Sequence, residues 1–168
     1  KTIYEKYAQL LVDYALYLKK GERLFIKSTT LAEPLIREIY KVAIQRGAHV
    51  ETFLDFEEKT RTLLDYGDTY QLEYVSPLSK YVYEHFDAYL NVMAPFNLRE
   101  LQNVDEEKMK LLKEAGKEIM QIYSQRTASG ELKRSLCQFP TRANAQEAGM
   151  SLSEYEDFVF NACHLYAE

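Results

Sequence analysis

Runs of branched and aromatic residues alternate with amphipathic helical stretches along the whole chain, and this alternation restricts the fold more than any other feature. Strand-like runs occur at Arg23–Ser28, His49–Phe56, Ala88–Met93 and Leu132–Phe139. Between them lie segments with apolar residues at three-and-four spacing, the mark of a helix with one buried face. The first predicted helix covers Tyr4–Lys19, with Tyr7, Leu10, Leu11, Tyr14, Ala15 and Leu18 on one face and Gly21 as the left-handed cap. The second covers Ala32–Arg46, with Pro34 in its first turn and Gly47 after its end. Two or three pieces fill residues 57–86, broken at Gly67 and at Ser76–Pro77. A short helix is predicted at Leu98–Val104, then a longer one capped by Asp105 and reaching Arg126, its continuity weakened by Gly116. Arg142–Ala148 forms a short helix ended by Gly149, and Ser151 with Glu154 forms a capping box for the last.

Strands that alternate with helices pair in parallel through right-handed crossovers. The expected fold is therefore α/β: a three-layer domain, with a mostly parallel sheet of at least four strands and helices on both faces. A chain of 168 residues suits a single domain, 1–168, large enough to bury a core. The sequence opens at Lys1 and stops at Glu168 within an amphipathic run, which predicts a piece of something longer.

Charge removes several function classes. Twenty-six acidic residues outnumber twenty-one basic ones, giving a net charge of −5, and no basic stripe stands out. Phosphate backbones reward clustered Lys and Arg, so no nucleic-acid partner is expected. Charged residues interrupt every apolar stretch well before the roughly 20 residues a membrane span needs, and no signal-peptide pattern opens the chain. Cys137 and Cys163 are too few for a disulfide framework and form no CxxC pair, so buried thiols in a reducing cytoplasm are expected.

Site chemistry is sparse. The first strand–helix turn reads Lys27-Ser28-Thr29-Thr30-Leu31-Ala32-Glu33, with no glycine for a dinucleotide loop and with Glu33 set to repel phosphate. Ser28–Thr30 could hold an anion at the helix N-terminus, but N-capping explains the same residues. His49, His85 and His164 sit on different elements. His85-x-Asp87 has a spacing that recurs in metal sites, but it straddles a helix–strand junction. Cys163 and His164 diverge by about 100° on a helix and cannot hold one ion together. Cys137 reads as a small buried residue rather than a nucleophile. The fourteen tyrosines fall at helical spacing among apolar residues and read as core and rim. Asp105–Lys117 reads as a solvated face with Glu–Lys pairs. No catalytic, cofactor-binding or metal-binding residue is assigned in this chain.

One segment is more specific than periodicity explains. Gln138-Phe139-Pro140-Thr141, then Ala145-Gln146-Glu147-Ala148-Gly149-Met150-Ser151, resembles a segment of the aminopeptidase T family of thermophilic metalloaminopeptidases. Glu154–Phe158 and Asn161-Ala162-Cys163 continue the likeness. Tyr7-Ala8, Leu10–Val12, Tyr14-Ala15, Lys19–Glu22, Ala32–Leu35 and Arg46–Ala48 resemble the family's opening pieces in the same order. The chain departs from the family in having no tryptophan. The resemblance covers this chain but less than half of a complete member.

The resemblance implies the N-terminal part of a cytoplasmic two-domain exopeptidase that removes N-terminal residues from peptides. Its two divalent metal ions (zinc, cobalt or magnesium) would be held by the C-terminal catalytic domain, with no cofactor in this chain. The expected partners are that domain, peptide substrates and a second subunit in a homodimer. This chain would be a non-catalytic scaffold, with loops Ser28–Thr30, Ala94–Phe96 and Phe139–Thr141 facing the catalytic domain. An apolar patch is expected around Phe158, Phe160 and Tyr166. The rival readings are a stand-alone small-ligand or protein-binding α/β module and, more weakly, a phosphate-binding enzyme.

Overall fold

The computed structural model describes residues 1–167 and contains a four-stranded, all-parallel sheet in the order β2-β1-β3-β4. The strands are β1 (Arg23–Thr29), β2 (His49–Asp55), β3 (Ala88–Met93) and β4 (Lys133–Gln138). Leu24 sits between Val50 of β2 and Ala88 of β3, and Leu90 lies opposite Ser135 of β4. The helices are α1 (Ile3–Gln9), α2 (Glu33–Gln45), α3 (Lys59–Tyr66), α4 (Thr69–Leu72), α5 (Pro77–His85), α6 (Glu106–Ala115), α7 (Lys117–Ser129), α8 (Arg142–Glu147) and α9 (Leu152–Ala162). The expected α/β fold with a parallel sheet is what forms.

Alternation along β1 builds both layers. Leu24, Ile26 and Ser28 point to one face and are buried there with Leu90 and Val92 of β3, Ile39 of α2, Tyr7 of α1 and Phe160 of α9. Phe25 points to the other face, where it stacks on Tyr89; Tyr89 in turn meets Tyr83 of α5 and Tyr123 of α7. The first face is mainly aliphatic, with Tyr7 and Phe160 packed at its side. The second is an aromatic ladder whose hydroxyls are also bonded, Tyr83 Oη donating to Tyr89 Oη at 3.0 Å.

Local chemistry sets the boundaries. Gly47 ends the α2 turn at φ +82°, with its carbonyl accepting from Gly21 N–H at 2.9 Å, which joins the two turns below the sheet. Asp105 Oδ1 accepts from Glu107 and Lys108 N–H and starts α6. The capping box at Ser151 and Glu154 forms as expected.

Three expectations need correction. The first helix stops being α-helical at Gln9, and Leu10–Ala15 forms a π-helical turn. Leu16 N–H reaches back five residues to Leu11 O at 2.9 Å. Widening the turn rotates Leu16 into the core and turns Tyr14 outward, 81% exposed. Asp13 on this turn holds the Arg46 guanidinium with two bonds of 2.8 Å, fixing it to the end of α2. Second, residues 98–104 form turns and not a helix. Arg61 Nη1 claims the carbonyls of Glu100 and Gln102, at 3.3 and 2.6 Å, and Asn103 adopts φ +61°. Those carbonyls are then held from outside by α3. Third, the helix after Asp105 breaks at Gly116, and α7 continues to Ser129.

Candidate functional site

The carboxyl ends of β1 and β3 lie where the crossovers diverge to opposite sides, the usual ligand position in an open parallel sheet. The hydroxyls there are already committed. Ser28 Oγ donates to Val92 O at 2.7 Å and is buried. Thr29 Oγ1 donates to Ala94 O at 2.6 Å and accepts from Leu31 N–H at 3.3 Å, capping the short turn Thr30–Ala32. These bonds tie β1 to β3 and start α2, so the capping role accounts for the Ser/Thr group.

Two of the three loops named from the sequence, Ala94–Phe96 and Phe139–Thr141, meet at one pocket, and Ser28–Thr30 does not line it. Leu31, Pro95, Phe96, Phe139, Pro140 and Thr141 line a shallow pocket of about 300 Å3, with Arg142 at its margin. Thr141 caps α8 by accepting from Asn144 N–H at 3.3 Å. Pro140 and Phe139 make the wall apolar. Such a pocket offers shape and one cation, not a nucleophile or a set of metal donors.

The His85 and Asp87 pair lies at the opposite, amino end of the sheet. Asp87 Oδ2 accepts from Arg23 N–H at 2.8 Å and faces Arg23 Nε at 3.8 Å. His85 stacks on Tyr81, with ring centroids 4.5 Å apart. Both side chains thus have structural partners. His49 opens β2, and His164 lies beyond α9 at φ +56°. Among the described residues, no group of three or more His, Cys, Asp or Glu is placed to hold a metal ion.

The two thiols share a different place. Cys137 on β4 and Cys163 after α9 both line an apolar groove of about 760 Å3 beside β4, with Tyr7, Tyr14, Leu136 and Phe158. Burial pushes the Cys137 thiol up to about 12, so it stays protonated at neutral pH and is no nucleophile. Burial also pushes the Tyr7 phenol well above its usual range; Tyr7 Oη donates to Gln138 O at 2.7 Å. The patch expected near α9 forms with one change. Phe158 is 59% exposed and Tyr166 44%, but Phe160 is 3% exposed because it turns into the core against Tyr4 and Tyr7. The tyrosine reading also needs correction: Tyr7 and Tyr89 are core, while Tyr66, Tyr70, Tyr74 and Tyr81 on the α3–α5 side stand exposed.

A four-stranded parallel α/β domain of this order, with a closed central seam and an open groove at one edge, is a common scaffold, and comparison narrows it. Residues 1–168 match the thermophilic metalloprotease (M29) family, and the chain belongs to that family. Among solved structures, AmpT from Thermus thermophilus superposes at a TM-score of 0.76 and 18% identity. That match covers 95% of this chain but only 42% of AmpT. A second chain, assigned as an enoyl reductase domain of a polyketide synthase, aligns at a TM-score of 0.35 and 16% identity, over 79% of this chain and 97% of that one. A score so low carries no argument. Comparison with curated protein sequences finds no match.

The metal that the family implies does not fit the donors present: the histidines lie apart, and Asp87 is engaged by Arg23. No helix among them is long and apolar enough to cross a membrane.

Proposed function

We propose that this chain is the N-terminal accessory domain of a cytoplasmic, metal-dependent aminopeptidase, and that residues 1–168 carry none of its hydrolytic chemistry. The observation that carries this reading is the pairing of membership in a metalloprotease family with the absence of a metal-donor group among the described residues. The share of AmpT that the chain spans, 42%, leaves more than half of such a protein to supply that group.

In this reading the domain is a scaffold. Its carboxyl-end loops, Ser28–Thr30, Ala94–Phe96 and Phe139–Thr141, face the catalytic domain and shape the entry to a peptide cleft. Pro95 and Pro140 give that wall rigidity, since prolines limit the conformations a loop can take. The metal ions, held elsewhere, would activate water and polarise the scissile carbonyl. Peptides are the substrates, and the parent enzyme works as a homodimer.

The test is to purify the longer chain and residues 1–168 side by side, add cobalt or zinc, and follow hydrolysis of leucine p-nitroanilide. The longer chain is expected to turn over and to lose activity with a chelator; residues 1–168 are expected to be inactive. Comparable turnover by both would refute the assignment of chemistry outside this chain.

A further inference from the structure

β4 is an end strand, and its outer side is open. Lys133 and Phe139 donate their N–H groups inward, to Asp87 O at 2.9 Å and Met93 O at 2.9 Å. Residues alternate sides along a strand, so Arg134, Leu136 and Gln138 turn their N–H and C=O groups outward. Of these, the Gln138 carbonyl is taken by the Tyr7 hydroxyl at 2.7 Å. No partner exists among the described residues for the outward groups of Leu136.

Exposed edges are ordinarily blunted by a lysine, a proline, a bulge or a covering element. The middle of β4 has none of these. Instead Leu136 stands 63% exposed, and the groove beside it is walled by Leu10, Tyr14, Tyr155 and Phe158. The π-helical turn builds one wall of this groove by turning Tyr14 outward. Backbone groups in a row beside apolar pockets make a receptor for an extended segment: main-chain bonds supply affinity, and alternate side chains enter the groove.

We propose that a segment from the remainder of the longer chain adds to the free edge of β4 as a fifth strand, its side chains alternating between the groove walled by Tyr14 and Phe158 on one face and the exposed Leu136 on the other. This rests on the reading of the chain as one domain of a longer peptidase. On that reading the occupant follows from length: the chain spans 42% of AmpT, and the rest of a protein of that size would be tethered to it. Tethering raises the local concentration of such a segment far above that of any free partner.

The experiment uses the longer chain. Amide hydrogen exchange is measured at Leu136 and Gln138, at two protein concentrations a hundred-fold apart. Both amides are expected to exchange at least about 100-fold slower than unprotected amides, at either concentration. Leu136→Pro, which removes an outward N–H and leaves the β3 ladder intact, is expected to lower the stability of the longer chain well below that of Leu136→Val. Rapid exchange at both amides would overturn the proposal. So would equal stability of the two variants, because a proline is harmless on an edge that faces water. Protection that vanishes on dilution would assign the edge to a second copy and also overturn it. Metal-dependent peptidase activity is assayed on the same preparation. An active chain with unprotected amides defeats this inference alone, and protected amides in a chain without activity defeat the functional reading alone.

Discussion

The seam between β1 and β3 and the outer edge of β4 belong to one sheet and are built in opposite ways. At the seam the hydroxyls are spent internally: Ser28 and Thr29 donate to Val92 and Ala94, and Asp87 holds Arg23. Leu24, Ile26, Leu90 and Val92 around it are fully or almost fully buried. At the β4 edge the backbone faces outward and Leu136, Phe158 and Tyr14 are exposed. The difference separates residues that make the fold from residues that are free to meet something else. At the position where an open parallel sheet usually binds ligands, the Ser28 and Thr29 hydroxyls are committed to the fold.

Substitutions can break that contrast. The largest effect is expected at the seam. Ile26→Ala or Leu90→Ala should cost roughly 2–5 kcal/mol by loss of buried methyl groups and creation of a cavity. Leu136→Ala in residues 1–168 should change stability by less than about 0.5 kcal/mol, since its side chain touches mostly water. Urea unfolding of the three variants checks this, and a large loss for Leu136→Ala would erase the distinction.

Next comes Ser28→Ala, which leaves the buried Val92 carbonyl without its donor. About 1–3 kcal/mol is expected, read from the same unfolding curves. A neutral result would mean that the carbonyl is satisfied in another way.

The thiols sharpen the comparison by accessibility. Cys163 is half-buried and Cys137 buried with its thiol pushed up to about 12, so iodoacetamide should modify Cys163 at least about ten-fold faster at pH 8. The pH dependence has a definite sign. A thiol raised in the folded state binds its proton more tightly there than in the unfolded chain. The protonated fold is fully favoured below the unfolded thiol pKa of about 8.5, and that advantage drains away as pH rises from there towards about 12. Cys137→Ala should therefore flatten the fall of melting temperature between pH 8.5 and pH 10, compared with the parent chain. At α9, Ser151→Ala removes one cap and should cost about 1 kcal/mol, read from urea unfolding.

Much of the seam was legible from residue order. The apolar run Leu24-Phe25-Ile26, the glycine at Gly47 and the cap at Asp105 are local signals, and the elements fall within a few residues of where those signals put them. The failures have a common cause in partners far along the chain. The 98–104 turns are held by Arg61 from α3, which no window around Leu98 contains. The π-helical turn follows from the core needing Leu16 rather than Tyr14, a preference that only α2 and β4 impose. Phe160 and Phe158 are two residues apart, and periodicity could not tell which faced inward. The edge groove was not legible at all, because strand order, and so which strand is last, is not written in periodicity. That His49, His85 and His164 lie apart was legible, because they are separated along the chain by whole predicted elements.

Metal binding tests the account most directly. Zinc or cobalt is titrated into residues 1–168 and into the longer chain, and bound metal is counted after dialysis. The account predicts stoichiometric metal in the longer chain and none retained by residues 1–168. One tightly held equivalent in residues 1–168, lost on His85→Ala or Asp87→Asn, would contradict it and place the metal chemistry in this domain.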